Sequence, residues 1–301
     1  VVGNRVATSG AYKYPAVCTL KKTTVAAPEN YRTVYVYQIE DKTNERSVRF
    51  VYDELSDVGM VVNGEGSVAT AYGPAVAQVG EGNLYTTLAT AVAAANNGET
   101  VTLLKDVNED ITIPKDKTIT LDLNGKKLTN VNSHTIFNKG TLTINGEGTV
   151  DNVTHGKVAV YNIGTVSLNG GTYDRSKEDG IKDSNTYYTL LNHGTMTVRN
   201  VTVNNKGGYS SLFENGYFDY NKARDGIDNP TLTIESGTFT GGINTVKNDD
   251  GATMTINGGI FTNYAQSAFQ NHNIATINGG TFNGATVYAI LNCGTGCTSD
   301  V

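Results

Sequence analysis

Residues 137–146 read F-N-K-G-T-L-T-I-N-G, residues 161–170 read Y-N-I-G-T-V-S-L-N-G, and residues 191–200 read L-N-H-G-T-M-T-V-R-N. Related lines return at 231–239, 253–261 and 275–282. Short alternating strands and Asn/Gly turns that recur at a fixed period are typical of a solenoid, in which a single coil cannot bury its apolar face alone. The repeat therefore predicts the architecture of most of the chain.

One asparagine ends the first short strand of each coil and fixes the register. The intervals in this Asn column are 24, 30, 23, 33, 23 and 21 residues, over Asn138, Asn162, Asn192, Asn215, Asn248, Asn271 and Asn292. A coil of this length fits three short strands and their turns, which indicates a parallel β-helix; the leucines of a leucine-rich repeat are missing. The two long intervals carry insertions near 174–188 and 217–230.

The same pattern predicts which side chains are buried. Because alternate residues of a strand point to opposite faces, Leu142 and Ile144 face the interior while Thr141 and Thr143 face solvent. Two interior columns follow: Leu142, Val166, Met196, Leu232 and Met254, and Ile144, Leu168, Val198, Ile234 and Ile256. Coils stack about 4.8 Å apart. Aligned asparagines can therefore hydrogen-bond up and down the stack while tolerating the left-handed backbone of a turn. We interpret the Asn column as structural rather than ligand-binding.

The N-terminal part of the chain does not share the repeat. Apolar residues at helical spacing predict a capping helix near 84–97, with Asn83 or Thr86 as its N-cap. Before it, residues 32–40 and 46–52 predict two strands, and 16–20 a third. We therefore expect a small separate β domain at 1–75, serving as an anchoring or docking module, and a β-helix domain at 76–301.

Residues 85–104 and 119–126 carry a resemblance. They resemble the opening of right-handed parallel β-helix regions, of the pectate-lyase-like superfold, in bacterial surface-displayed proteins and in phage fibre-type proteins. The resemblance covers about residues 76–292 and implies an all-β, right-handed solenoid. Lyases, hydrolases, adhesins and tailspikes all occur on this superfold, so the fold alone does not give the function.

Composition narrows the classes of partner. The net charge is −6, and the acidic excess lies in residues 81–301, which hold 21 Asp and Glu against 15 Lys and Arg. Nucleic acid would require a basic surface, so we expect no nucleic-acid partner. No apolar run reaches the roughly 18 residues of a membrane span. Cys293 and Cys297 are spaced for a small disulfide loop or remain two thiols, and we expect no cofactor or resident metal, although calcium stays open.

The search for catalytic residues gives few candidates. A lyase would need an outward calcium cluster beside Arg or Lys, and a hydrolase would need carboxylates on successive coils. Outward strand positions are dominated by Thr, so the best pair is Asp249 and His272, which take the same place after the column Asn on successive coils, within about 5 Å. The simpler interpretation is an exposed turn, because Lys139, Ile163, His193, Gly216 and Cys293 hold the same place.

The sequence favours a non-enzymatic structural or adhesion protein, extracellular, displayed on a virion as a fibre or capsid decoration or on a bacterial surface. Long loops on a stiff scaffold are where contacts with carbohydrate or host-surface protein are built. The expected contact residues lie in and around the two insertions: Tyr187, Tyr188, Tyr209, Tyr217, Tyr220, Arg175 and Arg224. The alternatives are a polysaccharide lyase or glycoside hydrolase and an inert scaffold fragment of a larger adhesin, and both a homotrimer and a monomeric rod are permitted.

Overall fold

The structure is a computed structural model and describes residues 19–25, 31–40, 45–53, 75–81, 83–177, 187–205, 210–218, 224–284, 288–293 and 298–300. Tyr209, Tyr220 and Cys297, which the sequence singled out, lie outside the described residues. Within them the fold is an all-β parallel β-helix with a single helix, as the repeat predicts.

The N-terminal region forms an antiparallel sheet of its own. Its strands are β1 (Thr19–Val25), β2 (Tyr31–Glu40) and β3 (Glu45–Asp53), in the order β1-β2-β3. The second and third predicted strands are confirmed within one residue at each end. The first is described over Thr19–Val25, and residues 16–18 of its predicted range lie outside the described residues. The assignment of residues 1–75 to a separate domain stays a prediction.

A short hairpin and a helix precede the coils. Strands β4 (Ala77–Val79) and β5 (Asn83–Tyr85) pair antiparallel, and helix α1 spans Leu88–Ala94. The helix is confirmed, but the prediction of Asn83 or Thr86 as its N-cap was wrong. Residues 83–85 are extended, and Thr87 caps the helix by accepting a hydrogen bond from the Thr90 N–H. The carboxylate of Glu109 binds two further N–H groups of the first turn, at 2.8 and 2.9 Å.

Each coil contributes one strand to each of three parallel sheets. The first sheet, with β4 and β5 at its edge, contains β6 (Thr100–Leu103), β9 (Thr118–Asp122), β12 (Thr141–Asn145), β15 (Thr165–Asn169), β18 (Thr195–Arg199), β21 (Thr231–Ile234), β24 (Thr253–Ile256), β27 (Ile274–Ile277) and β30 (Thr298–Asp300). The second sheet contains β7 (Val107–Asn108), β10 (Lys127–Thr129), β13 (Thr149–Asp151), β16 (Thr172–Asp174), β19 (Val201–Asn205), β22 (Gly237–Gly241), β25 (Ile260–Thr262) and β28 (Thr281–Asn283). The third sheet contains β8 (Ile111–Ile113), β11 (Ile136–Asn138), β14 (Val160–Asn162), β17 (Leu190–Asn192), β20 (Phe213–Asn215), β23 (Asn244–Asn248), β26 (Ser267–Asn271) and β29 (Tyr288–Asn292).

The core is built from columns of like residues. Both predicted interior columns of the first sheet are confirmed, because their members pair in register from coil to coil and are buried. The second sheet adds an aromatic column in which the ring of Phe261 stacks between Phe239 and Phe282, with centroids 4.9 and 4.8 Å apart. Because the strands are parallel and in register, equivalent residues of successive coils lie next to each other. Each interior column therefore holds apolar residues through the stack.

The Asn column forms an amide ladder at the ends of the third-sheet strands from β11 onwards, buried as far as Asn271. Each Nδ2 donates to the Oδ1 of the next asparagine at 2.7 to 2.9 Å, from Asn138 to Asn292. The expected left-handed backbone was wrong, because the only non-glycine residues with positive φ in the described chain are Asn124 and Asn200. The ladder therefore joins adjacent coils through side chains, and each amide also holds its own turn: the Asn138 Nδ2 donates to the Gly140 carbonyl, and its Oδ1 accepts from the Gly140 N–H.

Tyr173 places a hydroxyl inside the apolar column of the second sheet. The residue pairs in register with Val150 and Val203 and is fully buried. Its Oη has no hydrogen-bond partner among the described residues, and burial raises the pKa of the phenol far above its usual range. We expect Tyr173→Phe to raise the free energy of unfolding by about 1 kcal/mol, since it removes an unsatisfied polar group without leaving a cavity.

Urea unfolding of the purified protein measures this effect. Tyr161→Phe is the matched control, because the Tyr161 hydroxyl donates to the Asp225 carboxylate, and this variant should lose stability. Equal or lower stability of Tyr173→Phe would show that its hydroxyl is satisfied, for example by an internal water.

Candidate functional site

The outer face of the third sheet differs from the threonine-rich outer face of the first sheet. The residue just before each ladder asparagine points outward, and this outward column reads Phe137, Tyr161, Leu191, Glu214, Lys247, Gln270 and Leu291. Aromatic and apolar residues give way to Glu214, Lys247 and Gln270 on three successive coils. The expectation that Thr dominates the outward strand positions overlooked Glu214 on the third sheet. The sequence did contain a signal for this site. At one fixed position of the repeat, aromatic and apolar residues are replaced by charged and polar ones on three successive coils.

A groove of about 700 Å³ lies against this part of the third sheet. It follows the turns that lead from the second sheet into the third, where His155, Tyr187 and Ser211 lie, and reaches Lys247 and Gln270 on the strands. The last residues of the first insertion and Phe218 of the second form part of its wall. The groove is therefore built where the repeat is interrupted.

The lining of the groove combines flat rings with amides and hydroxyls. The rings are those of Tyr187, Tyr188 and Phe218, and those of Tyr187 and Tyr188 lie 5.0 Å apart between centroids. The amides are those of Asn244, Gln266 and Gln270, and the Asn244 Nδ2 donates to the Gln270 Oε1 at 2.7 Å. Ring faces pack against the apolar C–H faces of a ligand, while amides both donate and accept hydrogen bonds.

A buried polar cluster adjoins the groove. The Nζ of Lys247 donates to the Oδ2 of Asp249 at 2.5 Å, and both side chains are at most 10% exposed. Glu214, which is 1% exposed, shares a hydrogen bond with Asp249 and another with Tyr188. The other carboxyl oxygen of Glu214, Oε2, has no hydrogen-bond partner among the described residues. Three ionisable groups are therefore packed together away from water.

Burial controls the protonation of this cluster. It raises the pKa of Glu214 to about 8, a change that Lys247 opposes and Asp249 reinforces. Burial together with the nearby Glu214 also raises the pKa of Tyr188 well above its usual range. At neutral pH the Glu214 carboxyl is consequently protonated and can donate to the Asp249 carboxylate, while it accepts from Tyr188.

The Glu214–Asp249 pair does not have the spacing of a glycosidase acid and base. Two carboxyl groups that share a hydrogen bond place their oxygens about 3 Å apart. Glycosidases that retain or invert configuration need about 5 Å or more between carboxyl groups, so that a sugar, and in the inverting case also a water, fits between them. Both groups are also buried, so neither can reach a glycosidic oxygen in this arrangement.

The predicted pair Asp249 and His272 lies on successive coils, as the register requires, because Asn248 pairs with Asn271. The described hydrogen bonds direct Asp249 to Lys247 and Glu214 rather than to the imidazole. His272 lines the groove, and its Nε2 is buried with no hydrogen-bond partner among the described residues. The two residues therefore belong to one site but do not form an Asp–His pair.

The other predicted contact residues divide into two groups. Tyr187 and Tyr188 line the groove, whereas Arg175 is 1% exposed and donates to the Tyr187 and Thr154 carbonyls. Arg175 therefore fixes the end of the first insertion from inside, because the backbone carbonyls there need buried donors. Tyr217 is likewise buried, and its ring lies 4.2 Å from that of His193.

The described end of the second insertion is fastened to the third sheet. Asp225 accepts from the Tyr161 hydroxyl and lies 2.6 Å from the His193 Nδ1, while the Tyr217 hydroxyl donates to the Ile227 carbonyl. Gly226 allows this approach, because a Cβ there would meet the His193 carbonyl oxygen at 2.0 Å. Arg224, predicted to contact a ligand, donates to Asp228 at 2.7 Å within the insertion.

Of the two cysteines spaced for a disulfide near the end of the chain, only Cys293 lies within the described residues. The Cys293 Sγ accepts from the Gln270 Nε2 at 3.5 Å; its pairing with Cys297 stays a prediction, since Cys297 is outside the described residues.

Within the described ranges, no group of three or more His, Cys, Asp or Glu side chains is placed to hold a metal ion. The same part of the chain contains no helix with the length and apolarity to cross a membrane.

Comparison with known proteins does not add an assignment. No protein-family model matches the chain, and no curated protein or solved structure is similar enough to it to support an argument about function.

Proposed function

We propose that this protein is an extracellular adhesion solenoid, displayed on a virion or a bacterial surface, that binds glycan in the groove of the third sheet. The observation that carries the proposal is the groove itself, where rings, amides and hydroxyls replace the repeat residues along one line. Sugars present apolar C–H faces and rings of hydroxyl groups, which match aromatic faces and amides respectively.

The scaffold suits this role. The groove rests on strands that pair in register on both sides and on the buried amide ladder, so its lining is held by rigid elements. A rigid site binds with less loss of conformational entropy than a loop that must first become ordered. The spacing of the Glu214–Asp249 pair favours binding over cleavage by two carboxylates. Residues 1–75 would supply the attachment to the particle or cell.

Phe218→Ala is expected to weaken glycan binding by about tenfold to a hundredfold, because Phe218 offers a large ring to a ligand at the wall of the groove. Phe218 is 73% exposed, so its removal should leave the free energy of unfolding almost unchanged. The measurement is a glycan array with the wild-type protein, followed by titration calorimetry of the best ligand with both forms.

Tyr264→Ala is the matched control, because Tyr264 is also 73% exposed but does not line the groove. It should bind like the wild type. If the array shows no ligand, or if both variants bind as the wild type does, the proposal that the groove binds glycan is wrong.

A further inference from the structure

The charge of the groove differs from that of the whole chain. Among the described residues, its lining contains Lys247, His155 and His272 but no Asp or Glu, although the chain carries a net charge of −6. The acidic groups nearest to the groove, Glu214 and Asp249, are buried and do not line it. A ligand in the groove therefore meets one ammonium group and several hydrogen-bonding side chains within an otherwise acidic molecule.

Lys247 is held in a fixed position at this site. Its ammonium is bound by Asp249 on one side and lies 4.8 Å from the centroid of the Phe218 ring on another. An ammonium group has three donors and no acceptor, so the ligand atoms that contact it must be acceptors. The neighbouring Glu214 carboxyl is protonated at neutral pH and adds no negative charge that would repel an anion.

His272 provides a second donor next to Lys247. Gln270 pairs in register with Lys247, and His272 follows Gln270 by two residues, so the two basic residues lie on adjacent coils, whose strands stand about 4.8 Å apart. The buried Nε2 of His272 has no hydrogen-bond partner among the described residues, which is costly unless a ligand or water supplies one. An acceptor-only group with two oxygens can satisfy both side chains at once.

We propose that the groove selects glycans that carry a carboxylate, and that Lys247 and His272 bind this carboxylate while the aromatic wall packs against the sugar ring. This inference rests on the proposed glycan-binding function and specifies its ligand class. Uronic and sialic acids share the required chemistry, so both are tested.

The direct experiment uses matched pairs of ligands with the wild-type protein. Calorimetry compares glucuronate oligosaccharides with their carboxyl-reduced forms, and sialyl-lactose with lactose. We expect at least one acidic ligand to bind about tenfold or more tighter than its neutral partner, with the difference shrinking as salt is raised. Equal binding of acidic and neutral forms would overturn the carboxylate proposal and leave the glycan proposal standing, whereas an array without any glycan ligand would overturn both.

Two variants test whether Lys247 is responsible for the preference for acidic ligands. Lys247→Gln combined with Asp249→Asn removes both charges as a pair, which avoids leaving a buried carboxylate alone, and should abolish the preference for the acidic ligand. Lys139→Gln is the matched control, because the Lys139 ammonium lies over the Phe137 ring at a similar 4.7 Å but outside the groove. If the paired variant keeps the preference for the acidic ligand, or if Lys139→Gln also loses it, Lys247 is not responsible for that preference.

Discussion

Asn192→Ala is expected to lower the free energy of unfolding by about 3 to 5 kcal/mol, because it interrupts the amide ladder near its middle. The Asn192 Nδ2 donates to the Oδ1 of Asn215 at 2.7 Å and to the Thr231 carbonyl at 3.0 Å. Its Oδ1 accepts from the Nδ2 of Asn162 at 2.7 Å. Since the residue is fully buried, the variant leaves several polar groups without partners as well as a cavity.

The measurement is urea unfolding followed by circular dichroism, with Asn278→Ala as the control. Asn278 also donates to a neighbouring asparagine, Asn257, at 2.8 Å, but this pair is exposed to solvent. The control should lose less than about 1 kcal/mol, because water replaces the lost partner. Similar losses in the two variants would show that the ladder contributes no more than a surface hydrogen bond.

Glu214→Gln is expected to stabilise the protein by several kcal/mol at pH 8 and by little at pH 4. The pKa of Glu214 rises from an ordinary value of 4.5 to about 8 in the folded chain, mainly through burial. A carboxyl with a higher pKa when folded binds its proton more tightly in the folded state. Its contribution is therefore fully present below pH 4.5 and is lost as the pH rises towards about 8, at about 1.4 kcal/mol per pH unit.

Glutamine matches the protonated carboxyl in size, can donate to Asp249 through its amide N–H and has no proton to lose, so the variant should be much less sensitive to pH. Unfolding free energies at several values between pH 4 and pH 8 provide the test, and Glu147→Gln, at an exposed carboxyl, is the control. A difference between Glu214→Gln and the wild type that stays constant across this range would mean that Glu214 is ionised in the folded protein. A buried acid that reduces stability at neutral pH is a feature of functional sites rather than of scaffolds.

The fold could be predicted in detail because the same residue types recur at equivalent positions of successive coils. The interior columns of Leu142 and Ile144 and the Asn column each recur from coil to coil, so a chance match at one coil is corrected by the next. The position of the N-cap was missed because Thr87 competes with nearby Asn83 and Thr86, and only strand pairing across the hairpin decides between them.

The site was harder to predict for two physical reasons. Glu214, Lys247 and Gln270 occupy a column that elsewhere holds Phe, Tyr and Leu. Their significance depends on which sheet faces the insertions. The burial of Arg175 depends on the path of the first insertion, which no repeat specifies. Tyr187 and Tyr188 were singled out because they flank an interruption of the pattern, which is where a solenoid can build a site without disturbing its stack. His272 was singled out by its place after a column Asn, one coil beyond Asp249.

A crystal structure of the protein with its best array ligand tests most directly the claim that the groove, rather than the repeated threonine face, binds glycan. We expect a sugar ring packed against Phe218, with a carboxylate in contact with Lys247 and with the Nε2 of His272. A ligand bound along the threonines of the first sheet, or on the second insertion away from the groove, would contradict it.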